Sequence, residues 1–99
     1  MIPINTFIVC YDICDPKRLR YVHKTMKGFG IAVQYSIFKC TLSSTNLQRM
    51  ITKVQKEMDL EEDSVMIIDL GPEDGLWENR VTMIGEKKDL RVNEQPLVF

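Results

Sequence analysis

The stretch Thr6 to Tyr11, TFIVCY, is apolar or β-prone at every position. A strand with one wet face alternates apolar and polar residues, whereas a strand covered on both faces reads as a continuous apolar run. The first strand of this chain therefore needs cover on two sides. Its 99 residues are one domain's worth of chain. A domain of that size buries only a modest core, so a second copy would help it.

The rest of the sequence supplies cover for one side. The first strand runs out in Asp12, and Asp15-Pro16 then reads as an N-cap followed by proline at the first helical position. Leu19, Val22, Met26 and Phe29 recur at helical spacing, and Gly28 and Gly30 stop the helix. The segment from Ile31 to Leu42 is β-rich but long for one strand, which predicts two strands bending around Tyr35-Ser36. Ser43, Ser44 and Thr45 offer caps, Thr45 with Gln48 fits a capping box, and Leu47, Met50, Ile51, Val54 and Met58 form the apolar stripe of a second helix. Beyond the acidic turn Glu61-Glu62-Asp63, Ser64 to Leu70 reads as another strand, Gly71 to Gly75 as a loop and Arg80 to Ile84 as a short strand.

The order βαββαβ predicts an α+β, ferredoxin-like sandwich over residues 1–84, with 85–99 as a C-terminal extension. Both helices fall on one face of the sheet. The other face is then left for a second copy of the chain, which predicts a homodimer. The apolar tail Leu97-Val98-Phe99 is expected to add a short strand to the partner subunit's sheet edge.

Charge is distributed unevenly. Net charge is −1, yet Pro16 to Lys56 contains no Asp or Glu and nine bases. Residues 57–99 hold twelve acids against four bases. Lys17, Arg18, Arg20, Lys24 and Lys27 all belong to the first helix, and such a concentration predicts an electropositive surface on an overall acidic protein. The plainer reading is an amphipathic helix with a solvated Lys/Arg face.

Several function classes are disfavoured. No run approaches the roughly 18 apolar residues of a membrane helix. The N-terminal MIPINTF shows no secretory leader. Cys10 and Cys40 sit in apolar runs and read as reduced thiols, so a cytoplasmic location without membrane partners is expected. With no CxxC pair and a single histidine, His23, a zinc site is disfavoured and His23 reads as structural.

Asp12 is the candidate for chemistry. One carboxylate is a poor metal site, but a two-fold axis near the end of the first strand would bring two Asp12 side chains together. Mg²⁺ is often held by one or two carboxylates with water completing the octahedron, and Mn²⁺ takes similar ligands. Such an ion supports phosphodiester hydrolysis, and the basic helix beside it would hold phosphates. Alternatively, Asp12 caps or turns the chain. Tyr11, Tyr35 and Ser36 are candidates to bond a phosphate or simply to complete the sheet.

The combination "YDICDPKRLRYVHK", "GFGIAVQYSIFKCTL" and "DSVMIIDL" resembles the Cas-two family of CRISPR-associated proteins, the small subunits of spacer acquisition. The resemblance spans roughly residues 5 to 84. It implies a ferredoxin-like homodimer with Asp12 as the catalytic, metal-binding aspartate shared across the interface. It also implies a Mg²⁺-dependent endonuclease acting on RNA in some members and duplex DNA in others, working with the CRISPR integrase. A catalytically silent DNA-binding scaffold of that complex is the alternative. Tyr11, Asp12, Arg18, Arg20, Tyr35, Ser36 and Phe38 match the family pattern. Ala32 stands where many members carry Arg, and Lys39 where most carry an acid.

Overall fold

Helix α1 (Pro16–Lys27) begins where the sequence predicts, with the Asp15 side chain accepting a hydrogen bond from the Arg18 backbone N–H at 2.9 Å. The computed structural model describes residues 2–85. The tail strand expected near residues 97–99 lies outside the described residues, as does the extension beyond Gly85. Strand β1 (Asn5–Asp12) precedes α1, and β2 (Ile31–Gln34) and β3 (Ile37–Leu42) follow it as a hairpin turning at Tyr35-Ser36. Helix α2 (Ser44–Glu57) and strand β4 (Ser64–Pro72) complete the βαββαβ order. The sheet order is β2-β3-β1-β4, antiparallel throughout, with β1 in the middle pairing with both β3 and β4.

Alternation along β1 sorts its side chains. Phe7, Val9 and Tyr11 point to the helices and are buried, while Ile8, Cys10 and Asp12 point to the other face. Val22 and Met26 of α1 and Met50 and Val54 of α2 close on this first row, together with Phe38, Cys40 and Leu42 of β3. Phe38 is fully buried between Tyr11, whose ring stacks 6.1 Å away, and His23, whose ring meets it edge-on at 5.4 Å. Burial pushes the Cys40 thiol up to about 11, so it is an unreactive core group.

Two local expectations are corrected. The N-cap of α2 is Ser43, whose hydroxyl accepts from the Asn46 N–H at 3.2 Å. Thr45 lies inside the helix, so the box with Gln48 does not form. No strand forms over Arg80 to Ile84: residues Trp77–Arg80 make one helical turn, α3, and the residues after it pair with no strand among the described residues. The loop before α3 is held down instead. Glu73 accepts the Thr6 hydroxyl at 2.8 Å and the Gly75 N–H at 2.7 Å, and the Trp77 ring lies 5.1 Å from the Lys39 ammonium.

The face of the sheet away from the helices is open. Met66, Ile68 and Leu70 of β4 and Ile31 of β2 are exposed on it. The Glu73–Trp77 segment covers the end near Thr6 and Lys39. Asp12 lies at the opposite end, about 20 Å along β1 at 3.3 Å per residue.

Candidate metal and phosphate site

Asp12 ends β1 opposite Ser64, the first residue of β4, and is exposed. Alternation places it with Ile8 and Cys10 on the open face, which is the face a second copy would cover. Its strand position is fixed by ladders on both sides: Cys10 sits across from Ile37 and from Met66. The ladders hold the backbone that leads to Asp12, and its side chain stays exposed.

The loop after Asp12 is pinned by a residue that the sequence alone does not single out. The Asp63 side chain is buried. Its carboxylate accepts from the Arg18 Nε at 2.8 Å and Nη2 at 3.1 Å, from the Cys14 N–H at 2.8 Å and from the Asp59 N–H at 2.9 Å. The Arg18 guanidinium, followed by these backbone donors, holds the Asp63 carboxyl well below its ordinary 3.8. Cys14 adds a second tie, its Sγ donating to the Glu62 carbonyl at 3.0 Å. The β1–α1 and α2–β4 loops are thereby joined directly behind Asp12.

This network gives Arg18 a structural part as well: two of its guanidinium nitrogens are bonded to Asp63, which ties down the loop. Lys17, Arg20, Lys24 and Lys27 are exposed and fall at i, i+3, i+7 and i+10, which is one ridge of α1. The first turn of α1 contains no acid and two bases, against the preference of the helix dipole for negative charge at that end. The negative charge at that end comes from the Asp15 carboxylate at the N-cap.

The supporting residues divide. Tyr11 is buried, its hydroxyl 2.8 Å from His23 Nδ1 and donating to the Tyr35 carbonyl at 3.2 Å. Burial drives its phenol well above the ordinary 10.0 and lowers His23 below 6.5. Tyr11, His23 and Phe38 are therefore buried groups, joined by packing and by the Tyr11 hydroxyl's hydrogen bonds. Ser36 makes the hairpin turn and accepts the Tyr11 N–H through its carbonyl at 3.1 Å. The Tyr35 side chain is half exposed beside it. Lys39 lies on the open face beneath Trp77, away from the α1 ridge.

Among the described residues, no three His, Cys, Asp or Glu side chains gather as a metal site within one chain. Asp12 is the exposed carboxylate at the sheet end, and its hard oxygen ligands suit a divalent cation such as Mg²⁺. Among the described residues no helix is long and apolar enough to cross a membrane.

A family model for CRISPR associated protein Cas2 matches residues 5–75. A Rhodospirillum rubrum protein called CRISPR-associated endoribonuclease Cas2 1 is 46% identical over 68 residues, covering 69% of this chain and 67% of the relative. The CRISPR-associated endoribonuclease Cas2 of Geobacter sulfurreducens is 37% identical over 85 residues, covering 86% of this chain and 88% of its own length. In structure, the chain superposes on the crystal structure of Streptococcus pyogenes Cas2 at pH 6.5 with a TM-score of 0.71 and 29% identity, covering 81% of this chain and 99% of that one.

Proposed function

This chain belongs to the Cas2 family of CRISPR-associated proteins, and we propose that it is a metal-dependent endonuclease whose site is shared between two copies. One observation carries the reading: the exposed carboxylate of Asp12 sits at the end of the open, apolar sheet face, directly before a ridge of exposed cations. Two copies joined through that face bury Met66, Ile68 and Leu70 and bring the two Asp12 residues toward one axis. The relatives named as endoribonucleases support phosphodiester cleavage as the reaction.

In this reading Asp12 from each protomer would hold Mg²⁺ or Mn²⁺, which would supply Lewis-acid chemistry and charge neutralisation at the scissile phosphate. The chain's own residues do the rest. Lys17, Arg20, Lys24 and Lys27 hold the phosphate backbone of duplex DNA or single-stranded RNA without reading bases. The Asp63–Arg18 network keeps the loop behind Asp12 from moving. As a family member the dimer works beside the CRISPR integrase in spacer acquisition, in the cytoplasm, where its substrates are.

A second reading rests on Ala32. It packs against the core, where many members carry an arginine, so it has no cation to offer a phosphate. The dimer would then bridge DNA in the integrase complex without cutting it. Cleavage of labelled duplex and single-stranded RNA by native protein and Asp12→Ala separates the two. Cleavage that requires Mg²⁺ or Mn²⁺ and falls to background in Asp12→Ala, with binding kept, is the expected result. Binding without cleavage in either protein would leave the scaffold.

A further inference from the structure

We propose that the solvent face of α2 is a second phosphate-binding strip, separate from the α1 ridge. The inference rests on the nucleic-acid reading above and extends it to a surface which that reading does not use. Arg49, Lys53 and Lys56 lie at i, i+4 and i+7 and are all exposed. Thr45, Gln48 and Thr52 interleave with them, and the six side chains line one shallow groove along the helix. None of the three cations forms an ion pair among the described residues. Arg49 donates to the Asn46 amide oxygen at 3.4 Å.

A helix that merely needs a solvated face alternates Glu with Lys, because opposite charges at i,i+4 stabilise it and like charges destabilise it. Helix α2 carries Arg49 and Lys53 four apart and Lys53 and Lys56 three apart, with no acid in its first turn. Its one acid, Glu57, is turned to the Thr25 hydroxyl of α1. The cations are therefore uncompensated along the whole face.

The chemistry of the strip points to a sugar–phosphate backbone. Protein partners are anchored by aromatic and aliphatic side chains in a buried centre, and the groove offers none. Phosphates need cations with hydroxyl and amide donors between them, which is what α2 presents. Arg49 to Lys56 covers about 10 Å at 1.5 Å per residue. Along the duplex axis a DNA strand carries one phosphate per about 3.4 Å, so the strip spans about three phosphates where it runs parallel to that axis. Helix α2 lies on the helix side of the sheet, so a second copy on the open face leaves the strip accessible.

The test compares three proteins: wild type, Arg49, Lys53 and Lys56 all changed to Gln, and Lys17, Arg20 and Lys24 all changed to Gln. Binding to a DNA duplex of several helical turns and arbitrary sequence is measured across salt concentrations. Glutamine keeps helix propensity, and the single substitutions serve if the triple variant loses its fold. The strip predicts that the α2 variant flattens the slope of log K against log salt by about 0.9 for each phosphate no longer neutralised, up to about 2.7 per protomer engaged. A wild-type slope in the α2 variant, with a flattened slope in the α1 variant, overturns the strip and leaves the nucleic-acid reading standing. A wild-type slope together with lost binding to polyglutamate overturns it in favour of an acidic protein partner. Absence of duplex binding by the wild type overturns both readings.

Discussion

Asp63 and Arg18 are 45 residues apart, and each has an ordinary-looking neighbourhood in the sequence. Asp63 is the last of three consecutive acids, and nothing local says which of them turns inward. Once it does, four donors converge on it and its carboxyl is held below its ordinary 3.8. A carboxyl depressed in the folded state stabilises the protein fully above its unfolded value. That contribution is lost as pH falls through the folded value. Asp63→Asn is therefore expected to lower Tm at neutral pH, with the gap from wild type closing in strong acid. Thermal melts from pH 7 downward check this; a constant gap at every pH would contradict it. Arg18 is legible in part. The cations at 17, 20, 24 and 27 form a ridge of helical period, and Arg18 falls off it. Asp12 is legible as a site candidate, because it ends an apolar strand in an exposed acid while the capping of α1 falls to Asp15 instead.

At the scale of elements, legibility follows local chemistry. The Asp15-Pro16 start of α1 and the Tyr35-Ser36 turn depend on neighbouring residues, and both stand where the sequence puts them. The start of α2 is left open by the sequence because Ser43, Ser44 and Thr45 are all competent caps, and the end of β3 at Leu42 makes Ser43 the one used. Strand β4 runs two residues past Leu70, to Pro72, because β1 extends to Asn5 and supplies a partner. Arg80–Ile84 reads as β-prone but has no strand among the described residues to pair with. Gly30 illustrates the same dependence on distant chain. Its backbone conformation is open to any residue, yet a Cβ there would collide with the Lys39 carbonyl and the Cys40 sulfur of β3. Gly30→Ala is expected to cost about 1–3 kcal/mol through overpacking, or a Tm drop of about 4–8 °C per kcal/mol in a domain of this size. An unchanged Tm would show that β2 and β3 slide apart freely at that point.

For the whole molecule, the governing fact is an antiparallel sheet with helices on one face and Met66, Ile68, Leu70 and Ile31 exposed on the other. The continuous apolar run of β1 announces that both faces want cover, and the helices among the described residues cover only one. The Glu73–Trp77 segment takes up one end of the remaining face. In the proposed dimer a second copy covers the rest, and the single carboxylate of Asp12 becomes one of a pair. The charge split of the sequence has a place in the fold: the run without an acid, Pro16 to Lys56, spans both helices, and its α1 cations begin one loop after Asp12. The measurement that tests the shared site most directly is cleavage by dimers assembled from wild-type and Asp12→Ala chains, co-expressed in known ratios. If each active centre needs Asp12 from both copies, activity falls as the square of the wild-type fraction, to about one quarter in an equal mixture. A linear fall, to about one half, would mean that each chain carries a complete site and would contradict the account.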